Sequence, residues 1–258
     1  TPCSSTASDT WYVPSGSTLR GSTQHLVISN PFADDTSVDV TFATDQGARS
    51  PRALQGLPVP ARSLRVVDVS RHVSESGQIA SVVRARSGRI VVDRRQRHDG
   101  EGDPVGEGDL ATPAPHGLVA TSAIPTTSDR WLFPHAERSP GGRTRLVVHN
   151  PSRREARLDV TVAYERPERQ PPIDPLALDV RAGEQAVLDL TEVLEIPDLA
   201  PFSLDVRSIE GVPVVAELVV DGATPPLPPA EAGTGDGDAT GDAAEESPEE
   251  GAEEAPPE

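Results

Sequence analysis

Five acidic residues alternate with glycine near the middle of the chain, as Asp99-Gly-Glu101-Gly-Asp103 and, a few residues on, Glu107-Gly-Asp109. Oxygen ligands of this kind suit Ca2+, and a joint between β-domains is a sensible place for such an ion. The twelve-residue calcium-loop pattern is incomplete, however, so a solvated linker is the simpler reading. The six histidines (His25, His72, His98, His116, His135 and His149) include no pair four apart and none beside the single cysteine. That spacing does not make a zinc site. No G-x-S-x-G elbow is present to activate a serine. Asp68-Val69-Ser70 and Asp189-Leu190-Thr191 echo each other, and a duplicated Asp before a hydroxyl residue reads as a structural cap over a short turn. No catalytic, cofactor-binding or metal residue is assigned on these patterns.

Two further groups invite a binding role. Trp11 and Trp131 would stack on sugar rings if their faces were exposed, and would plug a sandwich core if they were not. With eight aromatic residues in 258, both are expected inside. Arg94, Arg95, Arg97 and His98 form the one basic concentration. It would suit an anionic wall polymer, a lipid headgroup or an acidic segment, although a solvated strand end explains it equally. Asn150-Pro151-Ser152 is no glycosylation acceptor, because proline occupies its middle position.

These residues sit in a chain that says the same thing twice. Trp11-Tyr12-Val13-Pro14 leads to Leu26-Val27-Ile28-Ser29-Asn30-Pro31; Trp131-Leu132-Phe133-Pro134 leads to Leu146-Val147-Val148-His149-Asn150-Pro151, each landmark 120 residues later. A fixed period of this kind marks a duplicated structural unit. Within each unit the apolar residues alternate, as at Val38, Val40 and Phe42 or Leu158, Val160 and Val162, with period two. Strands are expected over 25–30, 38–42, 57–59, 64–69, 79–85 and 89–94, the last two joined as a hairpin across Ser87-Gly88. The second unit repeats this, opening with a strand over 118–124 and closing with a hairpin around Glu210-Gly211. Short strands with frequent turn signals predict an all-β chain of two tandem immunoglobulin-like β-sandwiches.

The expected organisation is a first repeat over 1–100, an acidic Gly-rich linker over 101–116, a second repeat over 117–222 and a disordered tail over 223–258. The tail holds eleven acids, no base and no aromatic residue. By the 120-residue offset, the first repeat lacks most of its opening strand. The formal net charge of −18 argues against nucleic acid as a partner, since phosphate contacts need clustered positive charge. All 23 basic residues are arginine, which removes lysine chemistry. The single Cys3 allows no intrachain disulfide. With no methionine, Thr1 is not a translation start, so a signal peptide or membrane anchor upstream is expected. No apolar run reaches the ~18 residues of a membrane helix.

The paired W-x-x-P, L-V-x-x-N-P and [VL]-D-V-T pattern resembles an uncharacterised family of actinobacterial secreted or membrane-anchored proteins built from a repeated domain of unknown function. The resemblance covers about Trp11 to Gly222. It implies a cell-envelope location, with membrane contact only through a segment upstream of residue 1, and supplies no activity or catalytic residues. The expectation is a non-enzymatic extracytoplasmic structural or adhesion module whose partner is a cell-envelope protein or wall glycan. A carbohydrate-binding accessory module is the alternative; a hydrolase or transferase comes third.

Overall fold

Alternating burial marks the central strands of this chain, Ser22–Asn30, Thr36–Thr44 and Ala156–Tyr164. The computed structural model describes residues 6–104, 114–138, 141–165 and 173–221. Among them there is no α-helix, and no helix long and apolar enough to cross a membrane. The first repeat runs β1 (Thr10–Val13), β2 (Ser22–Asn30), β3 (Thr36–Thr44), β4 (Gly47–Arg49), β5 (Gln55–Val59), β6 (Ser63–Asp68), β7 (Ile79–Ala85) and β8 (Val91–Asp99). Then come β9 (His116–Ser122), β10 (Arg130–Ala136), β11 (Arg143–His149), β12 (Ala156–Tyr164), β13 (Leu176–Val180), β14 (Gln185–Asp189), β15 (Phe202–Ser208) and β16 (Val215–Asp221). All the strand pairs are antiparallel. In the first repeat β1-β7-β3, with β4 and β5 on β3, forms one sheet and β6-β2-β8 the core of the other. The second repeat reproduces this as β10-β15-β12-β13 and β14-β11-β16.

Each pair of sheets encloses its own apolar cluster. Leu26 and Ile28 of β2 meet Val38, Val40 and Phe42 of β3 around Trp11, all within 2 % of complete burial. Leu146 and Val148 of β11 meet Leu158 and Val160 of β12 in the second. At ~25 cal/mol per Å2 of apolar surface, such clusters dominate the stability of each repeat. Both repeats lie in one compact unit, Thr1–Thr224.

Three expectations change. β7 and β8 are not a hairpin: β7 pairs with β1 and β3, so both its edges are taken, and the chain crosses at Gly88 (φ +68°) to the opposite sheet. β15 and β16 divide in the same way. The stretch between Gln46 and Gly56, read as a loop, contains β4 and a 3-10 turn at Arg52–Leu54.

The strand expected to open the second repeat instead completes the first. β9 pairs along β8 from Asp93↔Ser122 to Asp99↔His116. Just beyond it, Ala123 N donates to Val92 O at 2.9 Å, and Tyr12 and Ile124 exchange two N–H···O bonds of 2.8 Å. Residues 116–124 therefore run between β8 and β1 and close that side of the first sandwich. Most of the expected linker (105–113) and the whole 223–258 tail lie outside the described residues.

Candidate functional site

Strand alternation splits the basic cluster. Arg94, Gln96 and His98 point to the inner side of β8, while Arg95 and Arg97 are exposed on the other. Arg94 is only 5 % exposed. Its guanidinium grips Glu217 of β16 in a fork, Nη2 to Oε1 at 2.7 Å and Nη1 to Oε2 at 3.1 Å. Nη1 also donates to the Ser15 carbonyl at 2.8 Å and to its hydroxyl, which itself donates to Glu217 Oε2 at 2.7 Å. Planar bidentate pairing of this kind adds direction as well as energy.

Glu217 belongs to the outward face of the β14-β11-β16 sheet, the side away from its own core. On that face Arg145 pairs with Asp221 and Arg143 with Asp189, and Val147 between them is 1 % exposed. An outward face so thoroughly covered is a seam: the first repeat lies over it. A cavity of about 290 Å3 remains there, bordered by Arg94, His98, Val119, Arg145, Glu217 and Asp221. Burial pushes the His98 imidazole down in pKa, and its Nδ1 shares a 2.8 Å hydrogen bond with the Ser22 hydroxyl.

A second, more open cleft of about 650 Å3 lies along the same seam, with Tyr12, Asp39 and Arg84 on one side and His149 and Ser152 on the other. His149 is 3 % exposed; its Nδ1 donates to the Glu184 carbonyl at 3.1 Å, so Nε2 carries the lone pair. Nε2 is buried without a hydrogen-bond partner among the described residues. Desolvation pushes the imidazole pKa down to about 4, so it is neutral at physiological pH. Of the hydroxyls lining the cleft, Ser152 Oγ is committed elsewhere, donating to the Arg154 carbonyl at 2.9 Å. Burial raises the Tyr12 phenol pKa. The seam thus combines matched ion pairs with one buried imidazole nitrogen, His149 Nε2, that has no partner among the described residues. Burial is the larger influence on His149, and its hydrogen bond to the Glu184 carbonyl opposes it.

The remaining sequence candidates resolve into repeated structural devices. Trp11 is fully buried, its Nε1 donating to Ile90 O at 2.8 Å; Trp131 is half-buried, its Nε1 donating to Val214 O at 3.0 Å. Trp11 has no face left for a sugar. Asn30 Nδ2 donates to Asp34 O at 2.8 Å and Val59 O at 3.2 Å, and Asn150 Nδ2 to Arg154 O at 2.7 Å and Val180 O at 2.9 Å. The Asn-Pro corners therefore tie β2 to β5 and β11 to β13. Asp68 Oδ1 accepts from Ser70 N at 3.1 Å and Asp189 Oδ1 from Thr191 N at 3.0 Å, capping matched turns. In the linker, Asp99 Oδ1 accepts from Glu101 N at 2.9 Å, while Glu107, Asp109 and Cys3 lie outside the described residues. Among those described, no three His, Cys, Asp or Glu side chains gather as a metal site.

The same tryptophan, asparagine and aspartate devices, placed twice in one compact unit, describe a repeated domain. A family model matches residues 1–226, the span that carries them. The chain belongs to DUF5719, a family of unknown function. No curated protein and no solved structure matches it. This DUF5719 chain is thus identified by its repeat, and its seam is the place where its charged side chains converge.

The sequence hides the seam because its pattern ends the 89–94 strand at Arg94, whereas β8 continues to Asp99 and the alternation Arg94-x-Gln96-x-His98 sends three polar residues inward.

Proposed function

We propose that this DUF5719 chain is a non-enzymatic structural or adhesion module displayed outside the cytoplasmic membrane, its two repeats being immunoglobulin-like sandwiches joined in tandem. The observation that carries the reading is the buried Arg94–Glu217–Ser15 fork, whose charges are spent on holding one repeat against the other. Strand β9, which follows the linker yet completes the first repeat, works in the same direction. A rigid pair of modules suits a spacer or a presenting surface. The immunoglobulin likeness rests on the central strands, where β2 pairs with β6 and β3 with β7 as the second-with-fifth and third-with-sixth strands of that fold do. The edges differ: the first strand joins the sixth and the last joins the second.

Protease treatment of intact source cells, followed by immunoblotting, tests the location. Degradation before lysis is expected, and protection until lysis overturns the reading. The carbohydrate-binding alternative is weakened by the burial of Trp11 and is separated by co-sedimentation with isolated wall sacculi. Salt-resistant pelleting would favour it; pelleting at low salt alone would report only the exposed Arg95 and Arg97.

A further inference from the structure

The second repeat has the groove that β9 fills in the first, and among the described residues nothing fills it. The match can be made position by position. Val92 lies opposite Ile28 on β2, and Ala216 lies opposite Val148 on β11, so β16 is the counterpart of β8. Ser8 bridges Ile90 as Ser128 bridges Val214, so β10 is the counterpart of β1. In the first repeat residues 116–124 run between these two strands, bonded to β8 on one side and to Tyr12 on the other. In the second, β16 and β10 are sheet edges, and no backbone bond joins anything to their outer sides among the described residues.

The side chains at this gap are bare where their counterparts are covered. Val220 is 54 % exposed, against 6 % for Gln96 in the same register; Leu132 is 61 % exposed. Trp131 is half-buried where Trp11 is sealed. The edge strand Val-Ala-Glu-Leu-Val-Val-Asp has no proline, and its two charges, Glu217 and Asp221, are engaged by Arg94 and Arg145 on the outward face instead of guarding the edge. An unprotected apolar edge beside an open core is an acceptor for strand addition.

We propose that the β10–β16 groove of the second repeat binds an extended strand with the chemistry of β9: uncharged, with a Leu-Val-Ala centre flanked by small and hydroxyl residues. The occupant adds antiparallel to β16 and lays an apolar residue against Val220 as Val119 lies beside Gln96. The argument is one of continuity with an interface already present in the molecule. The position is better suited to such a strand in the second repeat than in the first, because the inward residues are Leu218 and Val220 where the first repeat has Arg94 and Gln96. The main-chain bonds supply affinity and the inward pockets supply selectivity.

A synthetic peptide of residues 116–126 tests this against the full isotopically labelled chain. Titration should shift the amides of Val215–Asp221 and of Trp131–Leu132, with changes in the first repeat limited to β8 and β9, whose Gln96 and Val119 share a cavity with Leu218 and Val220. The same peptide carrying Thr121→Pro, at a position whose N–H faces the neighbouring strand as that of Ala123 faces Val92, loses a backbone donor and should bind about tenfold or more weakly. No shifts at millimolar peptide, shifts confined to the first repeat, or equal binding by the proline peptide would overturn it. So would slow hydrogen exchange of the outer β16 amides in the dilute free chain, since the groove would then be filled from within.

Discussion

The two repeats carry the same internal devices and meet different surroundings. Trp11 and Trp131 occupy one position, with the indole N–H on the carbonyl of Ile90 or Val214, yet the first is sealed and the second half-open. Position 94 is a buried arginine facing the partner repeat; its counterpart, Leu218, is a half-buried apolar residue. The outward face of β2 carries Ser29 and Val27, part-exposed, where β11 carries His149 and Val147, both buried under the first repeat. Duplication thus preserved what each sandwich needs for itself. What diverged is what each shows to its neighbour.

The tryptophans should show the largest difference. Trp11→Ala removes a fully buried side chain and its hydrogen bond to Ile90, at about 4 kcal/mol. Trp131→Ala, half-open already, should cost about 2 kcal/mol. Urea denaturation followed by circular dichroism reads both. Equal losses would mean that the segment over Trp11, Ala123 and Ile124, contributes nothing to sealing it.

The seam comes next. Arg94→Met leaves Glu217 without its counter-charge and should cost about 3 kcal/mol. Replacing both, Arg94→Met with Glu217→Leu, removes the stranded carboxylate and should return stability to within about 1 kcal/mol of the parent. A double-mutant cycle in the same denaturation assay decides it. If the two losses simply add, the fork does not couple the repeats.

How far the sequence reveals this architecture follows from how local each device is. The Asn-Pro corner, the Asp cap and the tryptophan each recur about 120 residues later, so the echo exposes them all. Strand existence is legible where residues alternate, as in Val38-x-Val40-x-Phe42, but not in β1, β4 and β10, which lack that signal. Pairing is not legible. Ser87-Gly88 announces a reversal without saying in which sheet the returning strand lands, and nothing in Leu118–Ile124 says that it completes the repeat before it. The seam was hidden for the same reason. Arg94 and Glu217 are 123 residues apart, and an Arg in a run of Arg reads as surface until the strand is known to continue to Asp99.

His149 sharpens the comparison through pH. Its folded pKa, about 4, lies below the ordinary value of 6.5, so the unfolded chain takes up the proton first. Stability is therefore full above pH ~6.5 and falls as pH drops toward 4, by about 3 kcal/mol at 1.36 kcal/mol per unit. His149→Phe should remove that slope while costing little at neutral pH, because the unpartnered Nε2 disappears with it. The first repeat has Ser29 at this position and cannot titrate there. Parallel slopes for parent and variant between pH 4 and 6.5 would show that the imidazole reaches water through the cleft.

The smallest effect is the control on all the others. Asp68 and Asp189 cap matched turns through bonds of 3.1 and 3.0 Å to the backbone of Ser70 and Thr191. Neither bond reaches the opposite repeat, so Asp68→Ala and Asp189→Ala should each cost about 1 kcal/mol. Asp189 also holds Arg143, and this is the one place where the pair can part. Arg143 is partly buried on the seam face, so losing its counter-charge adds to the loss of the cap, whereas Asp68 meets only the exposed Arg71. Exposed pairs contribute little, and buried ones leave a stranded charge when broken. A larger loss for Asp189→Ala that shrinks when Arg143→Met is added would assign the excess to the seam. Equal losses from the start would confine the asymmetry between the repeats to the Arg94 fork and the strand β9.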